Sequence, residues 1–241
     1  MAFGKARPPY AYSEKGTIRG IEVDLVREAL GRMGYQVKPQ ALSSYRIEAE
    51  TKHGNNFDVV VGVPLALDGA RYYSKPFVSY ENVVLAFKSK KISVKSVKDL
   101  KNLRVGVWAN ARHDLGKDFA RHFPPLSSGK PPANYIEFAK QDEQFKALWS
   151  DKIDVLIMDR SIFGWFRETM ATQVDVLREV EVFPIFEEPN LSCVAFLDQK
   201  MRNAFDHEIE KMRESGEYER IVRGYVGEKI AAMFKTNGKT H

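Results

Sequence analysis

Cysteine is almost missing: Cys193 is the single thiol in 241 residues, so no disulfide can close within the chain and no thiolate cage can hold a metal. Set in Leu191-Ser192-Cys193-Val194-Ala195-Phe196, it reads as a small buried hydrophobe. Also missing is any uninterrupted apolar run of roughly 20 residues, the length a membrane-spanning helix needs. No charged-then-apolar leader precedes Ala2, so the chain is expected to be either cytosolic or a mature form whose export signal has been removed, and the start at Met1-Ala2-Phe3, already running into strand-like sequence, points to the second. A basic stripe is lacking too. The net charge is +5, but lysines and arginines are scattered among acids, as from Glu208 to Arg213, whereas a nucleic-acid surface gathers its cations among aromatics. Nucleic acid is therefore not an expected partner.

Catalytic signatures are equally scarce. There is no glycine loop of the phosphate-binding kind, no nucleophile beside an evident base, and no His-Glu spacing suited to a metal. His53, His113, His122 and His207 are dispersed in mostly polar surroundings, so no metal, cofactor or catalytic residue is expected. Glu187-Glu188 or Asp159 would be the acid or base of a dehydratase-type alternative.

What is present is an ordinary apolar share, 44%, enough for one large core or two smaller ones. From Glu22 to Met33, apolar Leu25, Val26, Ala29, Leu30 and Met33 recur at helical spacing and Gly34 stops the run. Tyr35 to Val37 reads as a strand, Tyr45 to Lys52 as a helix, and Phe57-Asp58-Val59-Val60-Val61-Gly62 as a strand buried on both faces. Tyr80 to Phe87 is a further strand. The alternation then restarts: a serine-capped helix at Ser96 to Leu100, a strand at Arg104 to Trp108, a helix at Asp114 to His122, and a Pro-, Ser- and Gly-rich loop over Pro124 to Pro132. Tyr135 to Ala139, Asp142 to Trp149, Ile153 to Met158 and Ser161 to Met170 follow as strand, helix, strand, helix. Leu191 to Phe196 is a last strand before an amphipathic helix marked by Met201, Phe205, Ile209 and Met212. A short helix at Tyr218 to Val222 closes at Gly224, and the tail beyond Lys235 is expected to fray.

The pattern predicts an α/β protein of two lobes. Residues 1–87 with 188–241 form the first and 88–187 the second, and the chain crosses between them twice. Hinges are expected near Val84 to Phe87 and Phe183 to Leu191, with a ligand held in the cleft between the lobes.

Six segments, in order, carry a resemblance. Pro8-Pro9-Tyr10 with Gly20-Ile21-Glu22-Val23-Asp24-Leu25 resembles a "PPF…GFDVDL" opening, and Tyr73-Ser74-Lys75-Pro76-Phe77 after Phe57 to Val61 resembles "FSxPY" after "DxII". Val97 to Val107 resembles "DLKGKkVGV", Ile153 to Asp159 "vDAvvxD", and Gly216 to Ile221 "GxYdkI". Over nearly its whole length the chain thus resembles the family 3 extracellular solute-binding proteins, whose fold is the type II periplasmic-binding-protein fold.

The resemblance implies a monomeric protein, periplasmic or extracellular, that captures a small polar ligand, an amino acid or related amine or carboxylate, for the permease of an ABC importer. The same module also serves as the sensory domain of membrane receptors, which is the alternative. An aspartate at the position of Asp159 holds the ligand ammonium in typical members, and a helix cap is its plain alternative. Tyr45 falls near a position that sandwiches the ligand, Trp108 is placed as an apolar floor, and Gly62 belongs to the same candidate set.

The chain departs from the family at the carboxylate side. The stretch from Val63 to Arg71 is shortened, so Arg71 cannot be assumed to be the arginine that forks onto the ligand's α-carboxylate. Ala109-Asn110-Ala111-Arg112-His113 replaces a Gly-Ser/Thr-Thr turn. Asn110, Arg112 and Arg7, the last standing where members often carry an aromatic lid, are the candidates to compensate; a solvated surface role is the alternative for each arginine.

Overall fold

A computed structural model describes the backbone of residues 1–4, 7–65, 70–109, 111–125 and 131–236, and the side chains of these apart from 44 and 228–236. In chain order it begins with β1 (Ala2–Gly4), β2 (Tyr12–Glu14), β3 (Thr17–Arg19), α1 (Ile21–Arg32), β4 (Gln40–Leu42), α2 (Ser44–His53), β5 (Val59–Val63), β6 (Tyr72–Tyr73) and β7 (Val78–Tyr80). There follow β8 (Asn82–Phe87), β9 (Val105–Trp108), α3 (Ala111–Asp114), α4 (Gly116–His122), β10 (Tyr135–Phe138), α5 (Gln141–Trp149), β11 (Val155–Asp159), α6 (Arg160–Thr169) and β12 (Val180–Phe183). β13 (Asn190–Phe196), α7 (Gln199–Glu214) and α8 (Glu217–Thr236) end the chain.

Two compact units divide these elements: Met1–Ser79 with Leu191–His241, and Tyr80–Asn190. The first contains a sheet in the order β4-β1-β5-β13-β6, with β1 parallel to β4 and β5, and β13 antiparallel to β5 and β6. Val59, Val60, Val61 and Val63 are buried, as a central strand of a covered sheet requires. Helix α1 buries Ile21, Leu25, Val26, Ala29 and Leu30, a single helical stripe, and packs against α7 and α8. Phe205 of α7 meets Phe77 and Phe196 at ring separations of 6.0 and 5.2 Å. The Tyr218 hydroxyl donates to the Phe77 carbonyl at 2.7 Å, tying α8 to the segment before β7.

The second unit has a sheet in the order β10-β9-β11-β8-β12, in which β10, β9 and β11 run parallel and β8 runs antiparallel to both β11 and β12. One cluster gathers Val84, Leu100, Val105, Val107, Phe119, Phe123, Tyr135, Val155 and Ile157. Phe145 packs on Trp149, Phe163 and Phe166, with ring centroids 4.4 to 5.6 Å apart. Arg178 lies over the Phe87 ring, 3.4 Å from its centroid.

Several elements differ from expectation. The strand expected over Tyr35 to Val37 lies at β4, because the pairing that stabilises it is with β1, Ala2 opposite Gln40 and Gly4 opposite Leu42. The expected single strand from Tyr80 to Phe87 is two, β7 and β8. β8 pairs with β11 and β12, so the contact division runs at 79/80 and 190/191, whereas the sequence pattern put it at 87/88 and 187/188. β12 was not expected at all. Helix α8 does not close at Gly224; it runs on to Thr236 with a non-helical Gly227, φ 73°. The expected loop over Pro124 to Pro132 and the expected frayed tail lie partly outside the described residues.

Candidate functional site

In an open α/β sheet, ligands meet the carboxyl ends of the strands where the strand order reverses, because there the flanking connections leave in opposite directions and expose backbone and helix starts. Each unit has such a point. In the first, the chain runs from β1 through α1 to β4 on one side, then through α2 to β5 on the other. The reversal lies between β1 and β5, where Gly4 ends β1 and Gly62 stands one residue before the end of β5.

Arg7 occupies this place. Its Nη2 donates to Glu22 Oε2 at 3.1 Å and its Nη1 reaches the Gly62 carbonyl at 3.5 Å. Glu22, in the first turn of α1, is completely buried, and its other oxygen accepts from the Ser192 hydroxyl at 2.7 Å. A carboxylate so enclosed needs partners of this kind to be stable. Glycine is required beneath the guanidinium: a Cβ at Gly62, φ 77°, would stand 2.1 Å from Arg7 Nη2 and 2.8 Å from Glu22 Oε2, and one at Gly4 would stand 3.3 Å from the same nitrogen. The start of α1 is filled by the chain itself, since Ile21 N–H donates to the Pro9 carbonyl at 2.9 Å and Glu22 N–H to the Tyr10 carbonyl at 3.0 Å.

Arg71 is placed elsewhere in the same unit. Its side chain is wholly buried, with Nε donating to the Glu50 carbonyl at 3.0 Å, Nη1 to the Phe57 carbonyl at 2.9 Å and Nη2 to the Gly54 carbonyl at 3.0 Å, and with Glu50 Oε2 3.5 Å away. It fastens the end of α2 to the turn before β5. Burial lowers the pKa of its guanidinium, which the Glu50 charge opposes. Tyr45, at the start of α2, is 81% exposed and apart from Arg7's immediate partners.

In the second unit the order reverses between β9 and β11, and there Trp108 and Asp159 end their strands. Asp159 is 4% exposed. Its Oδ1 accepts from the N–H groups of Ser161 at 2.9 Å and Ile162 at 3.0 Å, and Oδ2 accepts from Glu81 N–H at 2.8 Å. The carboxylate therefore caps α6 and ties it to Glu81, the residue just before β8. Trp108 Nε1 donates to Asp114 Oδ2 at 2.8 Å, holding the indole against α3. Arg112 turns away from this edge: its guanidinium carbon sits 5.6 Å from the centroid of Tyr135, at the far end of β10. Burial pushes the Tyr135 hydroxyl to about 12, with the Glu137 charge adding to it. Asn110 lies outside the described residues, as do 66–69 of the shortened stretch.

The structure thus brings Arg7 together with Gly62, and Trp108 and Asp159 to adjacent strand ends, but Tyr45, Arg71 and Arg112 have separate surroundings. Glu22 and Ser192 were not foreseen. The available signal was a glutamate inside an otherwise buried first turn between Ile21 and Val23, which demands a partner.

The sequence pattern of the bacterial extracellular solute-binding proteins, family 3, matches residues 1–228, and the chain belongs to that family. It is 23% identical over 225 residues to the arginine-binding extracellular protein ArtP of Bacillus subtilis, covering 92% of this chain and 83% of that one. Its fold matches an ABC uptake transporter substrate-binding protein from Streptococcus pneumoniae with bound histidine, at a TM-score of 0.72, 20% identity and coverage of 94% and 92%. A histidine kinase sensor domain described as similar to periplasmic binding proteins matches equally well, at 0.72, 16% identity, and 94% and 96%. The expected α/β fold of the type II periplasmic binding proteins and the expected family are both met.

Proposed function

We propose that this chain captures a small polar ligand, an amino acid or a related amine or carboxylate, outside the cytoplasm and delivers it, as a monomer and without chemical change, to the permease of an ABC importer. The observation that carries this reading is the family match across residues 1–228. ArtP is named for arginine and the Streptococcus pneumoniae protein held histidine, which supports an amino-acid ligand. The polar groups at both strand-order reversals suit one: a guanidinium at Arg7 in one unit, and a carboxylate and an indole at Asp159 and Trp108 in the other. The sensor domain shares the fold, and fold alone does not favour the receptor alternative.

A thermal-shift screen with the common L-amino acids, small amines and small carboxylates tests the proposal. A ligand at about 100 times its dissociation constant adds about 2.7 kcal/mol of stability, so melting rises with ligand concentration. No rise with any member of the panel would overturn it, and recovery of an altered ligand would overturn the non-enzymatic part.

A further inference from the structure

The scatter of lysines and arginines expected from the sequence fails in one place. Residues 88–104 hold seven cations and one acid, a net charge of +6, whereas the whole chain carries +5, so everything outside this segment is close to neutral. Three of the seven are balanced where they stand: Lys88 by Glu179 at 3.1 Å, Lys90 by Asp151 at 2.8 Å and Arg104 by Asp154 at 2.7 Å. Lys91, Lys95, Lys98 and Lys101 are exposed and form no ion pair among the described residues.

Their spacing is a second observation. Val94, Val97 and Leu100 are buried in the core cluster of the second unit, Leu103 packs against it, and each is followed by a cation: Lys95, Lys98, Lys101 and Arg104. Val97–Asn102 is a 3-10 helix, in which residues three apart eclipse one another. Lys98 and Lys101 therefore stand in register, about 6 Å apart along the axis, while Val97 and Leu100 hold a different side to the core. The one acid, Asp99, is engaged by the start of that helix, its Oδ2 accepting from the N–H groups of Lys95 and Ser96 at 2.9 Å. The row ends at Arg104, just before β9, and Trp108 lies at the other end of that strand.

We propose that Lys91, Lys95, Lys98 and Lys101 form a docking surface for an anionic lipid bilayer. A shaped acidic partner is gripped by forked arginines, and single-stranded nucleic acid adds stacking aromatics. This row has neither, because its one free cation type is lysine and its apolar residues are aliphatic and turned inward. Lysine ammoniums are compact, hydrated point charges, which suits a lattice of headgroup phosphates without fixed geometry. The contact is peripheral, and it leaves the Trp108 end of β9 uncovered. The inference goes beyond solute capture and does not depend on which ligand is captured.

Flotation of the full chain with phosphatidylcholine vesicles, with and without phosphatidylglycerol, tests it. Binding is expected only with phosphatidylglycerol, and is expected to vanish at about 1 M salt, where the screening length is about 3 Å. Lys95→Gln, Lys98→Gln and Lys101→Gln combined are expected to weaken it about a hundredfold. Glutamine at Lys38, Lys117 and Lys200, exposed lysines away from the row, removes the same charge and is expected to change it little. Arginine at 95, 98 and 101 is expected to retain binding, and free glycerol phosphate is not expected to compete. Binding without phosphatidylglycerol, no binding to either vesicle, competition by free glycerol phosphate, failure of the arginine variant or equal losses in the two glutamine variants would overturn the proposal. So would a row variant that loses poly-L-glutamate or duplex DNA while its vesicle binding is unchanged. The ligand response in the thermal-shift screen is expected to be the same with and without the row; silence in that screen beside intact vesicle binding would overturn solute capture and leave the docking surface standing.

Discussion

Arg71 of the first unit and Asp159 of the second show how position decides the meaning of a residue type. Arg71 ends the shortened stretch that begins at Val63, and its guanidinium donates to three backbone carbonyls and faces Glu50 inside the protein. Removing it leaves those carbonyls and the Glu50 carboxylate short of a partner, so Arg71→Met should cost about 3–5 kcal/mol in urea unfolding, the scale for breaking a buried pair. A loss below about 1 kcal/mol would contradict the network. Asp159 is the counterpart in the second unit. Asp159→Asn places an amide N–H against the N–H of Glu81 or of Ser161 and Ile162, and should destabilise the protein by about 1–3 kcal/mol, read as a fall in the denaturation midpoint. An unchanged midpoint would mean that the cap carries little. From sequence, Asp159 was legible as a cap because it precedes a helix; Arg71's partners were not, since Glu50, Gly54 and Phe57 meet it only through the fold.

Helices α1 and α7 were readable in advance because their apolar residues repeat at 3.6-residue spacing and each has one face to bury. Short strands were not. β4 and β12 have burial patterns without alternation, and their existence depends on neighbours: β4 on β1, and β12 on β8, with Val180 opposite Phe87 and Phe183 opposite Val84. Pairing of this kind is tertiary information, absent from a six-residue window. The same contrast predicts where α7 is sensitive. Phe205 is fully buried between Phe77 and Phe196, so Phe205→Ala should cost about 3–5 kcal/mol in thermal or urea unfolding. Exposed His207, two residues along, should tolerate alanine within about 0.5 kcal/mol. Equal costs at the two positions would mean that α7 does not pack as described.

At the scale of the whole molecule, the order of six weak segments was more legible than any one site, because fold tolerates divergence while a pocket is rewritten residue by residue. The whole chain also has a common response to alkali. Burial raises the hydroxyls of Tyr135, Tyr218 and Tyr225 to about 12 from an ordinary 10, and the Cys193 thiol to about 12 from 9. Each group binds its proton more tightly folded than unfolded, so its contribution is complete below its unfolded pKa and is lost as pH rises through the folded value. Stability measured by urea should therefore be flat up to about pH 9 and decline from there toward about pH 12. A curve that stays flat to pH 11 would contradict the burial of these groups.

The second unit begins at Tyr80 and ends at Asn190, and two asparagines close it like a clasp: Asn82 Nδ2 donates to Asn190 Oδ1 at 2.6 Å. A segment whose entry and exit meet is a cassette. It can be lifted out, exchanged for a relative's, or re-cut so that new ends open on its surface, with only a small gap left in the host. Asp159 and Trp108 travel with that cassette, and Arg7, Glu22 and Ser192 stay behind. Chimeras made at this clasp would let the two units be inherited, and changed, separately.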